Sequence, residues 1–206
     1  MHSSAILNLE KFFSIYLKNF DNPKILDFGS QSLSDHIGSK VLLNKMDMNY
    51  EYTGVDIEKG NNVDIVLGDP YSFKEIPDST YDVIISTSVF EHVEFFWLTY
   101  LEILRILKPK GIFYFNVPSN GDFHRWPQDC WRFYPDSGNA LINWAKRNNF
   151  NPILLESYVS KQYLECGWND YVSVTLKDEK YLESFNDRII YNYKKFLNGI
   201  DHNQKL

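Results

Sequence analysis

Three aspartates stand at positions where an acid can do chemistry. Asp27 closes the run KILD before the turn Phe28-Gly29-Ser30-Gln31, Asp56 closes TGVD before Ile57, and Asp69 closes VLGD before Pro70. Each follows a short apolar stretch, so each is delivered to the end of a buried element. At the second such end an acid can accept both hydroxyls of a ribose, at the third it can take an exocyclic amine, and Asp27 suits a cationic amino group. A second concentration lies in residues 121–138, GDFHRWPQDCWRFYPDSG. His124 can take a proton near neutral pH, and Asp129 can orient its ring or act as the base itself. Trp126 and Trp131 offer flat apolar faces for a sugar ring or base, while Arg132 and Arg125 can hold a phosphate through paired N–H groups. The bland alternative is a structural lid in which Asp129 and Arg132, three apart, pair with each other. His92, beside Glu91, is a rival to His124, or else packs against a bound ligand.

The elements that must position these residues alternate. Residues 5–20 place Ile6, Leu9, Phe13, Tyr16, Leu17 and Phe20 on one helical face, and Asp21-Asn22-Pro23 stops them. Continuous apolar runs at 24–29, 51–57, 63–69, 81–88 and 111–118 read as buried strands. Helical spacing falls at 34–46, 91–108 and 140–150; two late strands cover 151–159 and 170–177. Residues 179–197 have the period of a terminal amphipathic helix, followed by a frayed tail. The expectation is a single domain over 1–206, with an N-terminal helix (1–22), a core (23–178) and a C-terminal helix and tail (179–206).

A net charge of −6 and a pI near 5.4 argue against a nucleic-acid partner, because neutralising phosphates needs clustered Lys and Arg. Cys130 and Cys166 form neither a metal-ligand spacing nor a disulfide framework, and no metal site is expected. The start lacks the pattern of a signal peptide, and no stretch approaches the ~18 apolar residues of a membrane span, so a cytoplasmic location is expected.

Strands alternating with helices predict a parallel sheet covered on both faces, with ligands beyond the carboxyl ends of its strands. An acid at Asp27 would repel the pyrophosphate of a nicotinamide dinucleotide. Three acids after three successive strands fit a nucleoside joined to a cationic amino acid, which describes S-adenosylmethionine. The chain resembles the class I S-adenosylmethionine-dependent methyltransferases in ILDFGS, YTGVDI, YDVIISTSVFEHV and ILKPKGIFYFNVP. The resemblance runs from about residue 24 to 150. It implies a Rossmann-like α/β fold with a seven-stranded sheet of order 3-2-1-4-5-7-6, the last strand antiparallel. It also implies a cofactor pocket lined by Asp27, Gly29, Ser30, Gln31, Asp56, Ile57, Asp69, Ser86, Thr87 and Ser88.

Gln31 stands where the family commonly has a second Gly, and Lys110 replaces the first Gly of the LkPGG signature. The chain further resembles a subgroup of small bacterial methyltransferases in GVDIEKGNNVD and in a late H-x-x-P-x-D-x-W-R-F block, associated with surface-polysaccharide and glycan modification. The expected reaction is O-methylation of a sugar, nucleotide-linked or part of an anionic glycan precursor. His124 and Asp129 are the expected catalytic pair, and His92, Arg125, Trp126, Trp131 and Arg132 the expected acceptor contacts. The alternatives are methylation of another small metabolite at nitrogen or phosphate oxygen, and a methyltransferase-like subunit that does not catalyse.

Overall fold

A computed structural model describes residues 1–32, 38–162 and 167–202. Within them lies one eight-stranded mixed sheet of order β3-β2-β1-β4-β5-β7-β6-β8. Strands β1 (Lys24–Phe28), β2 (Glu51–Asp56), β3 (Ile65–Val66), β4 (Tyr81–Thr87) and β5 (Leu107–Pro118) are mutually parallel. Strands β6 (Ile153–Ser160), β7 (Asp170–Leu176) and β8 (Phe196–Asp201) continue the sheet in antiparallel pairing. The central strands are buried on both faces, which is why they read as unbroken apolar runs. Helix α1 (Ser3–Tyr16), the short α2 (Ser39–Leu43) and α5 (Ile189–Asn192) pack on one face, where Phe12, Phe13 and Tyr16 meet Val83, Ile85 and Tyr114. Helices α3 (Phe96–Ile106) and α4 (Pro135–Arg147) cover the other, where Tyr100, Leu104 and Leu141 meet Ile84, Phe113 and Phe115. Among the described residues no helix is long and apolar enough to cross a membrane.

The order 3-2-1-4-5-7-6 is present, with β7 antiparallel to β5, but the sheet has an eighth strand where a terminal helix was expected. Only Ile189–Asn192 of 179–197 is α-helical. Arg188 is buried there, and its guanidinium donates to the carbonyls of Leu155, Phe185 and Asp187, while Glu156 accepts from the backbone N–H of Ile189 and Ile190. These contacts pin the chain to β6 and hold it out of a longer helix. The segment then pairs along β6, covering an edge that would otherwise expose a row of unpaired backbone groups. The end of the expected frayed tail, 203–206, lies outside the described residues, and so does the expected helix before residue 38. Strand β3 is shorter than 63–69, and α3 begins later than residue 91 and stops at Ile106, because β5 opens at Leu107.

Candidate active site

A cavity of about 670 Å³ opens beyond the carboxyl ends of β1, β2 and β4. Asp27, Gly29, Ser30, Gln31, Asp56, Ile57, Thr87, Ser88, His92, Arg125 and Trp126 all line it. Gly29 has φ +80°, and a Cβ there would lie 2.2 Å from Val89 Cγ2, so the turn after β1 needs glycine. The N–H groups of Gly29 and Ser30 both donate to the Val55 carbonyl, fixing that turn against β2. Asp56 accepts from the N–H of Gln31 (3.0 Å) and of Ile57 (2.8 Å), which sets the plane of its carboxylate. The Gln31 side chain has room because Gly60 lies beside it: a Cβ on Gly60 would sit 2.3 Å from Gln31 Nε2. A glutamine where a glycine is common is therefore matched by a glycine across the cavity wall.

Asp27 is buried, and its carboxylate accepts a 2.9 Å hydrogen bond from the Tyr52 hydroxyl. Burial pushes its pKa up to about 6 in spite of the hydrogen bonds from Tyr52 and Ser39, with Asp56 adding to the rise. A buried acid in this condition favours a cationic partner. The hydroxyls of Thr87 and Ser88 line the same cavity and have no hydrogen-bond partner among the described residues. Ser86 is fully buried in β4 and is not part of the lining. Asp69 departs from expectation too: its carboxylate accepts from the Tyr71 N–H at 2.8 Å and caps the turn, and Pro70 and Tyr71 line the cavity instead.

The 119–134 segment sorts its residues in two ways. Arg125 and the 62% exposed Trp126 line the cavity, and no carboxylate among the described residues pairs with Arg125. Arg132 instead holds Asp129 in a fork of 2.5 and 2.8 Å and donates to the carbonyls of Asn120, Asp122 and Trp131. All five guanidinium N–H groups are used, so Arg132 has none left for a phosphate. The same fork holds the Asp129 carboxyl well below the usual carboxylate range, which removes it as a base. Trp131 is turned from the cavity; its indole N–H donates to the Val93 and Glu94 carbonyls and its ring packs on Phe96 and Trp97. Here the lid reading describes Asp129, Trp131 and Arg132.

His124 does not line the cavity. Its ring lies edge-on to His92, with centroids 5.1 Å apart, and packs on Trp168. His92 is the cavity-facing histidine. Its Nδ1 hydrogen-bonds the Gln128 carbonyl, and the Gln128 amide donates back to the His92 carbonyl at 3.0 Å. Burial moves its pKa down, which favours the neutral ring.

Residues 37–115 match the methyltransferase domain family. Over those residues the chain carries a methyltransferase domain, set in the Rossmann-like methyltransferase fold described above. Solved structures carry the same fold at low identity. A methyltransferase of Burkholderia thailandensis, crystallised with 1,6-didemethyltoxoflavin and S-adenosylhomocysteine, is 15% identical with TM-score 0.59, over 85% of this chain and 79% of that one. The PH0226 protein of Pyrococcus horikoshii OT3 is 18% identical with TM-score 0.55, over 85% and 90%. No curated protein sequence matches the chain.

Around this cavity the lining residues that sequence reasoning passed over include Met1, Ser39, Tyr71, Val89 and Gln128. Glu91 is different. It is fully buried beneath the 119–134 segment, its carbonyl accepts from the N–H groups of Cys130 and Trp131, and burial lifts its carboxyl pKa to about 8. An acid adjoining a histidine directly after β4 was a readable signal, but its burial was not.

Proposed function

We propose that this chain is an S-adenosylmethionine-dependent methyltransferase of one domain over residues 1–206 that methylates an oxygen of a sugar, nucleotide-linked or part of an anionic glycan precursor. The observation that carries the reading is Arg125, without a carboxylate partner, beside the exposed face of Trp126 on the wall of the cofactor cavity. A flat indole suits a sugar ring, and a planar guanidinium suits a phosphate or carboxylate. The strand order places Asp27 and Asp56, at the ends of β1 and β2, on one side of the cavity. His92, Arg125 and Trp126 follow β4 and β5 on the other. The two sides suit the two substrates of one transfer.

S-adenosylmethionine supplies a methyl group on a good leaving group, so the protein has mainly to align the acceptor and exclude water. Asp27 is suited to the amino group and Asp56 to the ribose hydroxyls. On the acceptor side, loss of the hydroxyl proton is assigned to the group around His92 and His124, in place of the expected His124–Asp129 pair. Incubation with methyl-labelled cofactor and a panel of nucleotide sugars and extracted glycan tests this. Label should enter a sugar oxygen, and Arg125→Ala should raise KM for that acceptor about tenfold with little change for a neutral analogue. Label entering only uncharged or nitrogen acceptors would contradict it.

A further inference from the structure

Glu91 and His92 follow β4, and His124 follows β5, yet the fold brings all three together. One ligand atom from each, a carboxylate oxygen and two imidazole nitrogens, lies within 4.8 Å of the other two. Three features separate this cluster from a chance grouping. The Glu91 side chain is fully buried, and neither carboxylate oxygen has a hydrogen-bond partner among the described residues. Its neighbour His92 Nε2 is 3.6 Å away, beyond hydrogen-bond reach. A buried polar group in that state calls for a partner.

The tautomers point the same way. The Gln128 carbonyl holds the proton of His92 on Nδ1 and leaves the Nε2 lone pair facing Glu91. A carbonyl gripping the far nitrogen is how metal-bound histidines are commonly oriented. His124 repeats the pattern: its Nδ1 lies 3.2 Å from the Asp122 carbonyl and 3.5 Å from Asp129 Oδ2, which leaves Nε2 as its free nitrogen. The Asp129–Arg132 fork thus acquires a purpose, because Asp129 also accepts from the His124 backbone N–H at 2.9 Å and fixes where that ring stands.

We propose that Glu91, His92 and His124 bind one divalent first-row transition-metal ion, with its remaining coordination positions open to the cavity that His92 lines. Two nitrogens and one oxygen suit zinc, manganese, iron or cobalt, whereas magnesium and calcium prefer all-oxygen sites. Ligand atoms about 2.1 Å from one ion lie within roughly 4.2 Å of each other, so side-chain adjustments of under about an ångström close the set. Three protein ligands with open positions is the arrangement of a catalytic ion, whose charge can lower the pKa of a bound hydroxyl. That role rests on the oxygen-acceptor reading above; the binding itself does not.

The test uses the untagged chain, stripped with a chelator and titrated without cofactor or acceptor. Zinc is followed by calorimetry and cobalt by its visible absorption. One ion per chain is expected at micromolar affinity or tighter. His124→Ala, at a partly exposed ring, and the near-isosteric Glu91→Gln should each weaken binding at least tenfold and leave S-adenosylhomocysteine affinity within twofold. An ion bound with this dependence supports the inference whether or not a sugar is methylated. Absence of stoichiometric binding, or binding indifferent to both substitutions, overturns it, even in a protein that methylates sugars.

Discussion

On the β1–β2 side of the cavity, Asp27, Gly29 and Asp56 reach the lining from within or just past their strands, and short local contacts hold them there. On the β4–β5 side, a segment of comparable chemical richness splits: Arg125 and Trp126 face the cavity, while Asp129, Trp131 and Arg132 are spent holding the segment together. The first region places function by chain position, because a strand end fixes where its next residues go. The second places it by pairing, because either arginine could take the Asp129 carboxylate and the nearby carbonyls, and only the folded geometry gives them to Arg132.

The largest expected effect sharpens the split within the acceptor side. His92→Ala should cut turnover by about 10²-fold, the usual contribution of a group that assists a proton transfer, directly or through a bound metal ion, and leave S-adenosylhomocysteine affinity unchanged. Steady-state and calorimetric measurements on one preparation check this; a parallel loss of cofactor affinity would show that His92 belongs to the other side.

Next comes the scaffold. Asp129→Ala leaves the engaged Arg132 guanidinium without its fork, and urea denaturation should show a loss of about 2–3 kcal/mol, somewhat below a fully buried pair because Arg132 is partly exposed. The Asp129 pKa is depressed in the folded chain, so its contribution is present above the unfolded carboxylate range. It is lost as pH falls toward the folded value. A stable Asp129→Ala protein that has lost only activity would return Asp129 to catalysis.

A more gradual effect, spread over pH, belongs to Asp27. Its folded pKa is raised to about 6, so a cationic cofactor should bind more weakly as pH falls through 6, by up to about tenfold per unit below it. For the ligand-free chain the sign is opposite: the folded state holds the proton more tightly, so stability from this group declines as pH rises from about 4 to 6. By linkage that loss is roughly 3 kcal/mol. Affinity measured between pH 5 and 8 should show the step, and Asp27→Asn should flatten it.

The same contrast explains what was legible beforehand. The strands themselves and the acids at Asp27 and Asp56 follow from apolar runs and the residue that ends each, whereas the strand order came only from the family resemblance. Asp69 looked equivalent but lies in an exposed turn, where its carboxylate caps Tyr71; a run of two paired residues is too short to carry it to the cavity. The terminal segment was misread because its period of 3.6 was real while the decisive contacts, Arg188 and Glu156 with β6, lie far away in sequence. Glu91 was hidden for a related reason: nothing local shows that a charged residue in a polar turn is covered by residues 128–131.

The central claim is that one cavity divides cofactor from acceptor along the line between β1–β2 and β4–β5. Calorimetry of S-adenosylhomocysteine with Asp56→Ala and Arg125→Ala tests it most directly. Losing the acid leaves ribose hydroxyls unpaired, so Asp56→Ala should weaken binding at least tenfold, about 1.4 kcal/mol, while Arg125→Ala stays within twofold of the parent chain. Equal losses from the two substitutions, or unchanged affinity in a folded Asp56→Ala protein, would contradict the account.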